Sequence, residues 1–182
     1  MSLNINNIRS NLIGGGARPS LFEVIITNPV SSIADIKVPF MAKASQIPGH
    51  SVNKIEVPYQ GRKWAIPGDR VVNDWTVTII NDETFDIRNA LEEWSNAINS
   101  QQGNIATLGS APANYLSQAV VRQFGKSGDV IRTYELHDIW PMDIAPIDLS
   151  WEQNDTIEEF VVTWALRDFE VISSVTGNAG GV

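Results

Sequence analysis

His50 and His137 are the only imidazoles in the 182 residues, and neither has a partner at metal-ligand spacing such as H-E-x-x-H. His50 follows a Pro-Gly turn and His137 lies in an alternating run, so both read as surface or internally satisfied histidines. The densest carboxylate group, Glu152, Asp155, Glu158 and Glu159, has the charge for a calcium site or a glycosidase-type acid pair. It lacks loop glycines at the spacing calcium needs, and a solvated loop leading into a strand edge accounts for it. Gly14-Gly15-Gly16 is not followed by Gly-Lys-Ser/Thr and does not stand between strand and helix, which removes a phosphate loop. There is no cysteine, hence no thiolate nucleophile, thiolate metal site or disulfide. The expectation is no catalytic residue, no metal site and no cofactor.

The residues that do stand out suit contact rather than catalysis. Two Pro-Gly pairs, Pro48-Gly49 and Pro67-Gly68, bracket two short alternating runs, 55–59 and 62–66, that meet at Gln60-Gly61. Pro58 cannot donate to a central ladder, so this is a β-hairpin projecting from the main sheet. It carries Tyr59, Arg62, Lys63, Trp64, Asp69 and Arg70. A tryptophan on such an arm is either tucked beneath a sheet or anchors an interface, and the neighbouring arginines favour a partner. With Arg18 upstream, these are the candidate contacts with a partner or a second subunit.

The elements that must hold this arm follow from periodicity. Residues 21–27 are β-rich and stop at Asn28-Pro29; a second strand is expected over roughly 39–47. Trp75, Val77 and Ile79 alternate with Asp74, Thr76 and Thr78, as in a strand with one buried and one wet face. One helix is expected, over 83–102, with Ile87, Ala90, Leu91, Trp94, Ala97 and Ile98 on one stripe, Asp82 as its cap and Gly103 at its end. After a loop at 104–114, strands are expected at 116–124 and 130–140, joined by the turn 125–129, and at 157–169 or beyond. Residues 1–19 read as a flexible arm, 20–176 as one β-domain and 177–182 as a flexible tail. The fold class is mainly β (α+β): an antiparallel β-sandwich or barrel with one flanking helix and a projecting hairpin.

Thirteen Lys and Arg against 21 Asp and Glu give a formal charge of -8. Affinity for a phosphate backbone needs clustered cations, which argues against tight nucleic-acid binding. Residues 1–20 lack the basic start and apolar run of a signal peptide, no stretch is long enough for a membrane span, and a protein without membrane anchoring is expected. The sequon Asn154-Asp155-Thr156 then reads as a chance match.

Several segments carry a resemblance in order and spacing. They are Gly16-Ala17-Arg18-Pro19, Ala44-Ser45-Gln46-Ile47-Pro48-Gly49, Val57-Pro58-Tyr59-Gln60-Gly61-Arg62 and Pro67-Gly68-Asp69. The run from Trp75 to Glu83, Ile87-Arg88 with Trp94, Tyr134-Glu135-Leu136 and Trp140-Pro141 complete the set. Together they resemble the tail tube proteins of contractile-tailed bacteriophages of the T4 type, relatives of type VI secretion ring proteins and other injection-system tubes. The resemblance implies a non-enzymatic structural protein. Six copies would form a ring whose inner sheets join into one lumen wall, and stacked rings would conduct DNA or effectors on sheath contraction. Implied partners are the chain itself, the tail sheath, the tape-measure protein, the baseplate hub and the tail terminator. DNA would pass without specific binding, and the virion tail would be assembled in the host cytoplasm. A secretion-system ring or a tailocin tube is the nearest alternative, and a monomeric ligand-binding β-sandwich the more remote one.

Overall fold

The computed structural model describes residues 5–109 and 111–174. In chain order these form α1 (Ile5–Asn11), β1 (Phe22–Ile26), α2 (Ile33–Met41), β2 (Ala42–Ser45), β3 (His50–Tyr59), β4 (Arg62–Val72) and β5 (Trp75–Ile80). Then come α3 (Asp86–Ile98), β6 (Ser117–Phe124), β7 (Val130–Ile144), β8 (Glu159–Ala165) and β9 (Asp168–Ser174). Seven strands form one antiparallel sheet in the order β1-β6-β7-β8-β5-β2, with β9 also on β7, while β3 and β4 pair only with each other. This is the expected mainly β, antiparallel architecture.

The sheet folds on itself at β7. Asp138 takes φ 53 there, a left-handed conformation rare outside glycine, and the strand turns from one layer into the other. Residues 130–139 pair with β6, and residues 140–144 pair with β8. Where one strand was expected over 157–169 there are two, interrupted at Leu166-Arg167. The break follows the bend: Trp140↔Ala165 and His137↔Asp168 keep one register across it, so β8 and β9 are a single line of chain bent with its partner.

The core lies between the layers. Alternation buries Trp75, Val77 and Ile79 of β5 against Phe160, Val162 and Trp164 of β8, and Val24 and Ile26 of β1 close the far side. α3 seals the open flank with Ile87, Ala90, Leu91 and Trp94, the expected stripe. Trp94 is fully buried, packs its ring 5.5 Å from that of Trp164, and donates its indole N–H to Tyr115 O at 2.9 Å. The helix is shorter than expected at both ends. Phe85, at φ 55, is its N-cap residue, and Asp82 reaches in from the preceding turn to accept the Asp86 N–H. Asn99 already leaves the helix in an extended conformation, four residues before Gly103.

α2 was not expected. Its residues 39–41 belong to a helix, and only Ala42–Ser45 of the segment 39–47 is strand. Ala34 and Val38 share one face and are buried, whereas Phe40, read as part of the strand alternation, is 85% exposed. Pro39 sits in the last turn, where its missing N–H deprives the helix of one bond to the Asp35 carbonyl. Asn28 organises this corner: its Oδ1 accepts the N–H groups of Val30 and Ser31, its Nδ2 donates to Ala90 O, and its own N–H donates to Asp35. The segment read as a flexible arm includes α1, a two-turn helix that buries none of its residues. The tail read over 177–182 lies outside the described residues.

Candidate assembly surfaces

The hairpin of β3 and β4 is a second, separate sheet with nearly every residue exposed. Its two-residue turn has Gln60 at φ 44 and Gly61 at φ 80, the paired left-handed conformations of a type I′ turn, which matches the twist of the flanking strands. Near the base, two residues of β4 oppose Asn53 of β3, and Gly68 occupies that bulge. A Cβ at Gly68 would stand 3.1 Å from Asn53 O, a tight contact that a side chain could take only with a small shift of the opposite strand. The arm runs further than expected, through Pro67-Gly68 to Val72.

Register sorts the side chains into two unlike faces. The cross-strand pairs Ile55↔Ile66, Val57↔Trp64 and Tyr59↔Arg62 share one face; Lys54↔Pro67, Glu56↔Ala65 and Pro58↔Lys63 share the other. On the apolar face Trp64 is 68% and Tyr59 71% exposed. On the polar face Glu56 bonds to Lys54 at 2.5 Å and Lys63 at 2.6 Å, which holds its carboxyl below the usual glutamate range. The arm is amphipathic.

Of the candidate contacts, Tyr59, Arg62, Lys63 and Trp64 gather at the hairpin tip, with Lys63 on the opposite face from Trp64. Asp69 and Arg70 lie at the base. There Arg70 lines a cleft of about 420 Å³ with Val72, Arg132, Tyr134 and Phe169. Arg18 is exposed just ahead of β1 and is not on the hairpin. His50 is at the rim of the basal cleft, its ring 5.9 Å from that of Phe169, and His137 faces Glu170 at 3.8 Å. The acidic quartet is dispersed: Glu158 accepts from Asn81, Glu159 pairs with Lys43, and Glu152 and Asp155 are exposed loop residues. Among the described residues no group of three His, Asp or Glu is arranged to hold a metal ion.

A second surface is the outer face of the layer β2-β5-β8-β7. Here Ala44, Thr78 and Val161 form one cross-strand row and Thr76, Thr163 and Asp143 another. The ionised groups on or beside this face are the Lys43–Glu159 pair, Asp143 and Asp74, which continues the Thr76 and Thr78 alternation, so carboxylates outnumber cations there. Among the described residues, β2 has no strand on its outer side, and neither has the 140–144 half of β7 on the side away from β8. Every pairing within the layer is antiparallel, so strand direction alternates from β2 to β7.

The Asn81-Asp82-Glu83 segment has a role the sequence did not disclose. Lys37 of α2 bonds to Asp82 at 2.5 Å and also to Asp86, clamping α2 to the start of α3. These bonds raise the lysine above its usual range and hold both aspartates below theirs. The apolar spacing Ile33, Ile36 and Phe40 on α2 is exposed beside this clamp and continues into β2.

A β-domain with a closed core, an unpacked amphipathic arm and two open sheet edges is an assembly subunit. The family model described as "Phage tail tube protein" matches residues 17–172. The tail tube protein gp19 of Enterobacteria phage T6 is 38% identical over 158 residues, covering 86% of this chain and 93% of that protein. That of Enterobacteria phage T4 is 37% identical with the same coverage. The tube of a PVC extracellular contractile injection system, solved as a sheath–tube complex, shares the fold with a TM-score of 0.59 at 12% identity, over 94% of this chain and 99% of that one. The chain belongs to the phage tail tube protein family.

Proposed function

We propose that six copies of this chain close into a ring, that rings stack into the inner tube of a contractile tail, and that the tube conducts DNA without binding it. The observation that carries the reading is the layer β2-β5-β8-β7, with one cation-poor face of short side chains and an open edge on each side. Open edges invite pairing, and alternating strand direction makes a β7-to-β2 joint between copies antiparallel like the rest of the sheet. A joint of this kind brings Asp143 of one copy toward Lys43 of the next. Cyclic repetition of one such heterologous contact closes a ring.

In this reading the threonine face lines the lumen. Short uncharged side chains with a slight excess of carboxylate offer a phosphate backbone nothing to bind. α3 lies on the core side of the layer and therefore faces outward. The apolar face of the hairpin, with Tyr59, Arg62 and Trp64, docks on a neighbouring subunit, and the Ile33, Ile36 and Phe40 stripe of α2 is covered at the same joint. The sheath, the terminator, the baseplate and the tape-measure protein are the further partners, and the virion tail is the location. The function is structural rather than catalytic. Electron microscopy of concentrated pure protein tests this: six-membered hollow rings and tubes are expected, and persistent monomers would contradict it.

A further inference from the structure

The loop of residues 145–158 between β7 and β8 is unlike the rest of the surface. Trp151 is 99%, Leu149 81% and Ile157 70% exposed. Asp148, Glu152, Asp155 and Glu158 surround them, with no Lys or Arg in the loop. Such a combination, an indole anchor ringed by uncompensated carboxylates, is what a partner with an apolar cleft and free cations would take up.

That cleft exists on the same chain. The loop enters the sheet at Glu159, whereas the basal cleft is lined by Phe169 and Val171, ten or more residues further along the β8–β9 line. Trp151 stands clear of the rest of its own chain at 99% exposure, so one copy does not fill its own cleft with its own loop. The cleft holds about 420 Å³, with Pro48, Val72, Tyr134 and Phe169 as apolar lining. Asp168 and Glu170 line it too, but Asp168 is engaged by Arg167 and Glu170 faces His137. Among the described residues, Arg70 and Arg132 have no carboxylate partner within ion-pair distance. Arg132 instead stands over the Tyr134 ring at 5.2 Å, with its Nε buried and unbonded.

We propose that this loop and this cleft are the two halves of the contact between successive rings: Trp151 of one copy enters the basal cleft of a second copy in the next ring, and the loop carboxylates meet Arg70 and Arg132. The inference rests on the stacked-ring reading and specifies its axial joint. Loop and cleft are different surfaces, so the contact is head-to-tail; made between rings, it passes from each ring to the next along the stack.

The absence of native cysteine makes the test direct. Full-length chain carrying Trp151→Cys and His50→Cys is assembled, oxidised and run on a denaturing gel. Axial contact links copy to copy through successive rings and gives a ladder well beyond six chains. A ladder that stops at six would assign the contact to the ring itself and overturn the proposal while leaving rings intact. Stacks that form with no cross-link would overturn it too. In parallel, Trp151→Ala should leave six-membered rings in place and lower the stacked fraction by about tenfold or more, as loss of an interface anchor does. Arg70→Glu with Arg132→Glu should abolish stacking, and Glu152→Arg with Asp155→Arg in the same chain should restore it. Full-length stacks from either variant alone, or no restoration in the combination, would refute the pairing. Absence of rings in the unsubstituted chain would instead defeat the ring reading.

Discussion

Trp64→Ala separates an assembly arm from a core hairpin. Trp64 is 68% exposed on the apolar hairpin face and its pairing partner is Val57, so truncation removes little that the monomer uses. Fold stability should change by less than about 1 kcal/mol, the range of a single cross-strand pair. The exposed two-thirds of an indole amounts to roughly 100–170 Å², which at about 25 cal/mol/Å² is about 2–4 kcal/mol if a neighbour covers it. Each subunit contact should then weaken roughly 30- to 700-fold. Thermal or urea unfolding of monomer and sedimentation of assembling protein measure the two sides. Removing residues 52–65 through a short Gly-Ser turn should act the same way, leaving near-normal circular dichroism and no tube elongation. Stability loss above about 2 kcal/mol, or tubes of ordinary length from the deletion, would refute the separation of arm from core.

The opposite result is expected at Trp94→Ala, which empties a fully buried site and frees Tyr115 O: about 3–5 kcal/mol of stability, read by urea unfolding, with a loss under about 1 kcal/mol contradicting its core role. Asp82 and Asp86 have depressed folded-state values, so their contribution is present above the unfolded range near 4 and is lost as pH falls through the folded values; Tm should drop steeply on acidification, and Asp82→Asn should flatten that drop. The raised value of Lys37 acts in the other direction: its contribution is present below the ordinary lysine range and is lost only as pH rises through the folded value. Thr163→Arg on the outer face of the layer should leave the fold and the rings intact yet make assembled tubes retain DNA in a salt-dependent way, measured by filter binding at graded salt; DNA retention unchanged from the parent would remove that face from the lumen.

Much of this architecture was legible because burial on one side writes alternation into a strand. β5 shows it in Trp75, Val77 and Ile79, and α3 shows the helical equivalent in Ile87, Leu91 and Trp94. α2 was not legible, since its β-branched residues and Pro39 argue locally against helix; what holds it is tertiary, through Asn28 and Lys37 reaching to α3. The bend at Asp138 that divides β8 from β9 has no local mark either, because it is a property of the partner strand. The hairpin was legible as an arm of two alternating limbs, but not in its register. Its faces emerge only once Val57 is set opposite Trp64. Trp151, in a loop outside every expected element, had exposure as its one signal, and exposure is not written in sequence.

The central claim, that the layer β2-β5-β8-β7 forms the lumen wall of a six-membered ring, is tested most directly by a reconstruction of assembled tubes at side-chain resolution. The account predicts Thr76, Thr78 and Thr163 facing the lumen, an antiparallel joint between residues 140–144 of one copy and β2 of the next, and α3 on the outside. A lumen lined by the hairpin or by a continuous belt of Lys and Arg, or copies joined through other edges, would contradict it.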